Sequence, residues 1–588
     1  MVEIDNSKST KMDAFSRKLL EAHYTRPNET IQQAFARAAT CYSRGDEAFA
    51  QRIYNYVSDG WFMFASPVLS NAVMTGEKVK GLPISCFLTY VPNSIKGLCN
   101  HSTELRYLSV KGGGVGGHWS AVESMSKKSP GPIGFLHTVD ADMTAYKQGS
   151  TRRGSYAAYM DISHPDIIEF IKMRLPTGDI NRKNLNLHHG VNITDSFLNA
   201  VEYDLMWQLI DPRKGEVKET VKARELWETL LETRYRTGEP YLNNIDEANR
   251  RLPAKFKYDG LSIKGSNLCN EIHLVTDEKR TAVCCLSSVN LAKYDEWKDT
   301  EMVQDLVVLL DNVLQFFIDN APKELKKAVK SAKQERSLGL GALGFHDYLQ
   351  SKMIPWESSA AISTNRAIFK HIKEEAVIST KKLAVKKARI KKGKKTKYAP
   401  NGHNNAHLLA IAPNANSSII AGASASIEPR ASNCYTHKTR VGSHLVKNKQ
   451  LEHIIHTRFK DDEIPKIWED IMANDGSIQD LDYFSDEEKE VFKTSFELDQ
   501  RWVVDMAKSR QEYICQGQSV NLFFPAGTDK TYLNAVHLRA FTSGEFRPLK
   551  GVYYLRTESG RKTEKVALKV QRDALQDGVN ETCLSCEG

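Results

Sequence analysis

In the segment SNLCNEIHL a cysteine is flanked, at two-residue spacing, by an amide and a carboxylate: Asn267, Cys269 and Glu271. On a β-strand this spacing puts all three side chains on one face. Each polar group would need a buried partner inside a core, so the trio suits either a surface-facing strand edge or a pocket that holds a polar substrate. A second strand-like run, AVCCLSSVNL, carries Cys284 and Cys285, which face opposite sides of a strand, so only one of them can serve the same pocket. Cys86 lies in PISCFLTY. Cys86 and Cys284 are either inert core thiols or a reversible pair, the second requiring Cα atoms within roughly 7 Å. The chain closes on CLSCEG, a Cys-x-x-Cys formed by Cys583 and Cys586. No Cys or His follows it, so redox exchange fits better than a zinc site, and no metal site is expected.

The elements that position these residues alternate between strand and helix patterns. Residues 11–60 mix apolar and charged residues at helical spacing, with Pro27 as a break, and predict a small N-terminal helical region at 1–60. From Ser66 to Val191, short apolar segments alternate with glycine clusters such as KGGGVGGHWS. Helical spacing returns at Arg224–Thr237 and Val303–Asn320, which makes an α/β architecture with parallel strands. After Thr557 the chain turns polar, and 558–588 is expected to be a flexible tail; a coil of that length reaches on the order of 30 Å.

Composition narrows the class. The hydrophobic fraction of 41% and charged fraction of 26% are those of a globular protein, and no apolar run is long enough for a bilayer. The N-terminus lacks the basic start and apolar stretch of a secretory signal, so a cytoplasmic chain with mostly reduced thiols is expected. Much of the net charge of +9 sits in KKLAVKKARIKKGKKTK, Lys381 to Lys397. Without interleaved aromatics the run reads as a solvated helix face or loop, and no nucleic-acid partner is expected.

The ordered motifs resemble the large subunits of class I ribonucleotide reductases from about Phe62 onward. They are ASPVLSNA, the ISC of Cys86, the glycine cluster, RRGSYAAYMDISHPDI, NRKNLNLHHGVNITD, SNLCNEI, AVCCLSSVNL, RSLGLGALGFHDYL, PNANSSIIAGASASIEP and GVYYLRT. The resemblance implies a ten-stranded α/β barrel of two five-stranded halves joined antiparallel, spanning 61–557, with a central finger loop carrying the radical cysteine. It implies that Cys269 becomes a transient thiyl radical that takes the C3′ hydrogen of a ribonucleoside diphosphate. Glu271 would accept the 3′-hydroxyl proton, as an ordinary carboxylate already ionised at neutral pH, and Asn267 would orient the hydroxyls. Cys86 and Cys284 would form the reducing dithiol, and the tail cysteines would renew it with thioredoxin or glutaredoxin. Tyr553 and Tyr554 alone read as β-formers with one ring on each strand face. In the resemblance they relay a radical from a separate, metal-containing small subunit, with no cofactor resident in this chain.

The same resemblance implies further contacts. Asn416, Ser417 and Ser418 would stand at a helix N-terminus cradling a diphosphate, helped by Ser66 and Ser85. Arg182, in TGDINRKN, would report a dNTP or ATP effector bound at a homodimer interface. Asn93 stands where aspartate is usual and Glu123 where arginine is common. The likeness begins too early in the chain to leave room for the N-terminal ATP-binding cone of related subunits, so a compact form without it is expected, of a kind suited to a viral genome working in host cytoplasm. Two rivals share parts of the pattern: an adenosylcobalamin-dependent reductase, against which the tyrosine pair argues, and an inactive nucleotide-binding regulatory homologue, which would not need all four of Cys269, Glu271, Cys86 and Cys284.

Overall fold

The computed structural model describes residues 2–146, 154–389, 396–439 and 442–558. Three amphipathic helices, Ala14–His23, Ile31–Tyr42 and Glu47–Ser58, open the chain. Side chains that accept from the first turn start each of them: Asp13, Thr30 in a capping box with Gln33, and Asp46. The buried Arg37 ties this unit to the first helix of the barrel region, pairing with Glu29 and donating to the carbonyls of Leu69 and Ala72.

The strands run in the order β1 (Phe62–Phe64), β2 (Cys86–Tyr90), β3 (Gly114–His118), β4 (Tyr156–Asp161), β5 (His188–Ile193), the hairpin β6 (Met206–Ile210) and β7 (Val217–Lys222), β8 (Tyr241–Asn244), β9 (Ala282–Asn290) and β10 (Leu338–Leu343). A second hairpin, β11 (Cys434–Thr439) and β12 (Gly442–Lys447), and the short β13 (Leu522–Phe524), β14 (Gly551–Val552) and β15 (Leu555–Thr557) complete them. β2, β3, β4, β5 and β8 pair in parallel in that order. β9 then runs antiparallel to β2 and parallel to β10. Parallel bridges from Leu340 to Leu409 and from Ile411 to Gln518 carry this second half onward. Two parallel runs meeting antiparallel through β2 and β9 are the curled, barrel-type architecture that the sequence motifs implied.

Burial follows the topology. Every residue of β5, β9 and β10 is buried, as expected for strands covered on both faces. The helix Met302–Asn320 covers β9 with Leu306, Leu310, Val313 and Phe317, and Phe317 meets Phe87 of β2 at 5.9 Å between ring centroids. Where the basic run lies on the long helix Ser359–Arg389, Lys381, Lys382 and Lys386 are exposed, while Lys387 reaches the buried Asp311 at 2.9 Å. Among the described residues no helix is long and apolar enough to cross a membrane.

Candidate active site

The trio does not lie on a strand. Residues 264–274 form an irregular loop that enters the sheet's concavity, and Asn270 at its tip takes a left-handed backbone, φ 62°. The Asn267 amide makes this turn: its Oδ1 accepts from the backbone N–H of Glu271 at 3.0 Å and of Ile272 at 3.1 Å. Local side-chain bonding of this kind competes with a strand ladder, and here it wins. The turn still brings amide, thiol and carboxylate together. Asn270 holds the tip from the far side, donating to the carbonyls of Leu242 and Val552, while the Tyr159 hydroxyl donates to the Asn267 carbonyl at 2.7 Å.

Close passage of the loop over β3 requires Gly116. A Cβ there would sit 1.9 Å from the Ser266 carbonyl oxygen and 2.9 Å from Asn267 Cα.

Cys86 and Cys284 face each other directly across the antiparallel β2–β9 pair. Such partners have Cα atoms about 4.5–5.5 Å apart, inside the range a disulfide spans. Asn267 Nδ2 donates to Cys86 Sγ at 3.2 Å and to Glu271 Oε1 at 2.9 Å, and Cys86 Sγ lies 3.7 Å from the same Oε1. Cys285 points to the other face, towards the Leu310 carbonyl. Burial, with Glu271 and Cys284 nearby, pushes the Cys86 thiol well above its usual range; burial and Cys285 do the same to Cys284. Both are therefore neutral thiols at physiological pH.

Glu271 is not the ordinary carboxylate expected from its residue type. With 1% of its surface exposed, burial raises its carboxyl to about 7, against the opposing hydrogen bonds of Asn267 and Ser519. It is a base poised at neutral pH rather than one already fully ionised.

The tyrosines sit between β14 and β15, and both are buried instead of facing opposite sides of a strand. Their rings lie 4.3 Å apart, Tyr241 packs 4.7 Å from Tyr553, and the three form one cluster with Tyr159, Leu268 and Cys269. The two tyrosines and Cys269 thus share one buried cluster.

Other expected residues are placed less centrally. Asn416, Ser417 and Ser418 occupy the first turn of the helix Ala415–Ala421, whose opening N–H groups lack intrahelical acceptors. Ser66 begins the helix Ser66–Ser70 and bonds the Tyr24 hydroxyl at 2.7 Å. The Ser85 hydroxyl, beside Cys86, is buried with no hydrogen-bond partner among the described residues, a group left open for a polar ligand. Arg182 is not brought to this cluster: it pairs with Glu169 and donates to the Pro130 carbonyl. Asn93 Oδ1 accepts from the Glu123 N–H, and Glu123 pairs with Arg213. Cys583 and Cys586 lie outside the described residues.

Sequence reading missed the segment Cys515–Asn521. Ser519 Oγ donates to the Cys269 carbonyl at 2.6 Å and lies 3.2 Å from Glu271 Oε2, and Gln516 Nε2 lies 3.4 Å from Cys284 Sγ. The polar string CQGQSVN directly before the apolar LFF was the available signal.

The chain matches the family described as ribonucleotide reductase, barrel domain, over residues 84–401 and 392–555, and that described as ribonucleotide reductase, all-alpha domain, over 10–77. It belongs to the ribonucleotide reductase large-subunit family. Among similar proteins, one named a ribonucleoside-diphosphate reductase large subunit in Frog virus 3 is 53% identical over 93% of this chain and 94% of that protein. Another, in Invertebrate iridescent virus 3, is 40% identical over 100% of both. The solved alpha subunit of the class Id ribonucleotide reductase of Actinobacillus ureae superposes with a TM-score of 0.80 at 32% identity, covering 95% of this chain and 98% of that one.

Proposed function

We propose that this chain is the catalytic subunit of a class I ribonucleoside-diphosphate reductase. The observation that carries the reading is one buried cluster that brings together the Cys86–Cys284 pair and the Asn267–Glu271 bridge, with Cys269 packed among Tyr553 and Tyr554. A thiyl radical on Cys269 takes the C3′ hydrogen atom, Glu271 takes the 3′-hydroxyl proton, and Asn267 orients the hydroxyls. The 2′-hydroxyl leaves as water with a proton from the Cys86–Cys284 dithiol, which supplies two electrons and ends as a disulfide. The second thiol hydrogen ends at C2′, Glu271 gives its proton back to the 3′ oxygen, and Cys269 returns its hydrogen to C3′.

A metal-containing small subunit supplies the radical through Tyr554 and Tyr553. The tail thiols Cys583 and Cys586, recharged by thioredoxin or glutaredoxin, reduce the disulfide. Ser66, Ser85, Asn416, Ser417 and Ser418 hold the diphosphate substrate, and Arg182 answers to a dNTP or ATP effector across a homodimer. Dedicated to this chemistry are the barrel at 61–557 and the tail at 558–588, preceded by the helical region at 1–60.

The test is dCDP formation from CDP when the chain is mixed with class I small subunits and dithiothreitol or thioredoxin. C269S should abolish turnover and leave nucleotide binding nearly intact. Turnover without a partner but with adenosylcobalamin overturns the class, and an active C269S overturns the radical assignment.

A further inference from the structure

The two sulfurs that end as one disulfide are held by different neighbours. Cys86 Sγ accepts from Asn267 Nδ2 at 3.2 Å and lies 3.7 Å from Glu271 Oε1, which suits a thiol donating to the carboxylate and opposes a thiolate. Cys284 Sγ lies 3.4 Å from Gln516 Nε2, and the same nitrogen donates to the Leu338 carbonyl at 2.9 Å. A carbonyl only accepts, so this contact fixes the NH₂ end of the amide towards the sulfur. The site keeps that donor although Gln516 Oε1 is buried with no hydrogen-bond partner among the described residues.

The remaining surroundings of Cys284 are closed. The Cys285 carbonyl lies 3.8 Å from its Sγ, and Glu271 and the Cys515 thiol add to the groups that disfavour its ionisation. β10 covers the sulfur, since a Cβ on Gly339 would sit 3.0 Å from Cys284 Sγ. Cys284 is 0% exposed, whereas Cys86 keeps 5% of its surface open.

In disulfide exchange the attacked sulfur stays bonded and the other leaves as an anion. A departing Cys86 thiolate would face the Glu271 carboxylate, and a departing Cys284 thiolate the Gln516 amide. Donors favour the charged form and like charges disfavour it. Resting on the reading of Cys86 and Cys284 as the reducing pair, we propose that reduction of their disulfide begins at Cys86, with Cys284 leaving as a thiolate held by Gln516. The incoming thiolate of a dithiol forms an S–S bond to Cys86 Sγ, the Cys86–Cys284 bond breaks, and its electron pair stays on Cys284, which then takes a proton from water. The second thiolate of the dithiol next attacks its own partner sulfur, Cys86 leaves with its electron pair and is protonated, and the dithiol ends as a disulfide. The less favourable departure thus falls in the step that the dithiol makes intramolecular, where effective concentration is highest.

The experiment uses the full chain carrying Cys583→Ser and Cys586→Ser, so that only added thiol reacts. One turnover of CDP with effector and an active small subunit, without reductant, forms the disulfide. Mercaptoethanol is then added, the reaction is quenched at short times with acid and N-ethylmaleimide, and peptides are mapped by mass spectrometry. The mercaptoethanol adduct should lie on Cys86 and the alkyl group on Cys284. The reverse placement, which a protonated Glu271 helping Cys86 to leave would give, overturns the proposal. Gln516→Glu, close in shape, replaces the donor by an anion. In that variant, oxidised with diamide if it does not turn over, the adduct should shift towards Cys284, a change of site that loss of packing alone does not produce. A donor to a thiolate is worth about one pKa unit or more, and at a Brønsted slope of about 0.4–0.5 its loss slows reduction of the disulfide at least about threefold. A Q516E disulfide reduced at the wild-type rate overturns the proposal; this ratio decides if the adduct is too short-lived to map, and the wild-type map decides if the variant fails to fold. Product formed while Cys86 and Cys284 remain thiols sinks instead the reading of the two as the reducing pair.

Discussion

Ser519→Ala should move the pH dependence of the reaction upward by about one unit, through Glu271. The Glu271 carboxyl stands at about 7 because it is buried, and the donors that favour its ionised form include Asn267 Nδ2 at 2.9 Å, Ser519 Oγ at 3.2 Å and Cys86 Sγ at 3.7 Å. A hydrogen bond to a charged group contributes about 1.5–3 kcal/mol; at 3.2 Å, with the one hydroxyl hydrogen shared with the Cys269 carbonyl at 2.6 Å, no more than the lower end applies. At about 1.4 kcal/mol per pKa unit, losing it carries the group from about 7 to about 8. If Glu271 is the base, wild type retains about one tenth of its full kcat/KM for CDP at one unit below the midpoint, and S519A reaches that level one unit higher. The assay is kcat/KM for CDP from about pH 5.5 to about 9 with saturating small subunit. Ser519 also donates to the Cys269 carbonyl, so Ser519→Thr, which keeps the hydroxyl, should restore the wild-type midpoint and separate the two effects. Stability must show the opposite face of the same shift. A carboxyl raised from 4.5 to about 7 costs the folded state about 3 kcal/mol as pH rises through that window, and Glu271→Gln removes the cost. A wild-type acid limb centred near 4.5, or an S519A profile that superimposes on wild type, would refute the reasoning.

Other expectations rest on single contacts. Cys86→Ala or Cys284→Ala should lower dCDP formation by about 10²–10⁴-fold, and thiol titration after one turnover without reductant should find the wild-type disulfide absent from either variant. Gly116→Ala drives a Cβ into the Ser266–Asn267 backbone and should cost about 1–3 kcal/mol in urea unfolding while displacing Asn267; full activity would show that the loop does not need this close approach. Asp311 accepts from Arg336 at 2.6 Å, Lys387 at 2.9 Å and Asn404 at 2.9 Å, and Asp311→Ala, which leaves the buried Arg336 uncompensated, should destabilise by about 3–5 kcal/mol. Despite burial, Arg336 and Lys387 hold the Asp311 carboxyl below its usual 3.8, so its contribution is present above that pH and lost as pH falls through the folded value; an Asp311→Ala penalty unchanged by acid would contradict this.

How much of this was legible in the sequence depends on whether a feature is local. The strand-like run AVCCLSSVNL and the helical spacing before Asn320 gave β9 and its covering helix nearly to the residue. Opposite facing of Cys284 and Cys285 needed only the period of a strand. SNLCNEIHL failed because alternation alone cannot distinguish a strand from a turn closed by an asparagine side chain, and the left-handed Asn270 was the cue left unread. The register of Cys86 against Cys284, the tyrosine stack and the Ser519 contact join segments distant in sequence, so only the motifs, not the spacing, could anticipate their closeness. Glu271 shows the same limit in electrostatics. Its residue type predicts an ionised carboxylate, whereas its pKa is set by burial that no local pattern reports.

That burial has opposite consequences for the two halves of the cycle. In the proposed reaction, neutral thiols at Cys86 and Cys284 would carry the protons that a departing hydroxyl needs, and their raised pKa values would keep those protons in place until substrate arrives. The same values make each a poor leaving group once the disulfide has formed, since thiol–disulfide exchange slows as the leaving thiol becomes more basic. A pocket tuned for the substrate step is therefore slow to be recharged by dilute thiols from solution. Recharging then calls for a dithiol delivered into the pocket at high effective concentration. A Cys583–Cys586 pair tethered to the chain meets that requirement, which gives the C-terminal motif a physical reason that its spacing alone does not.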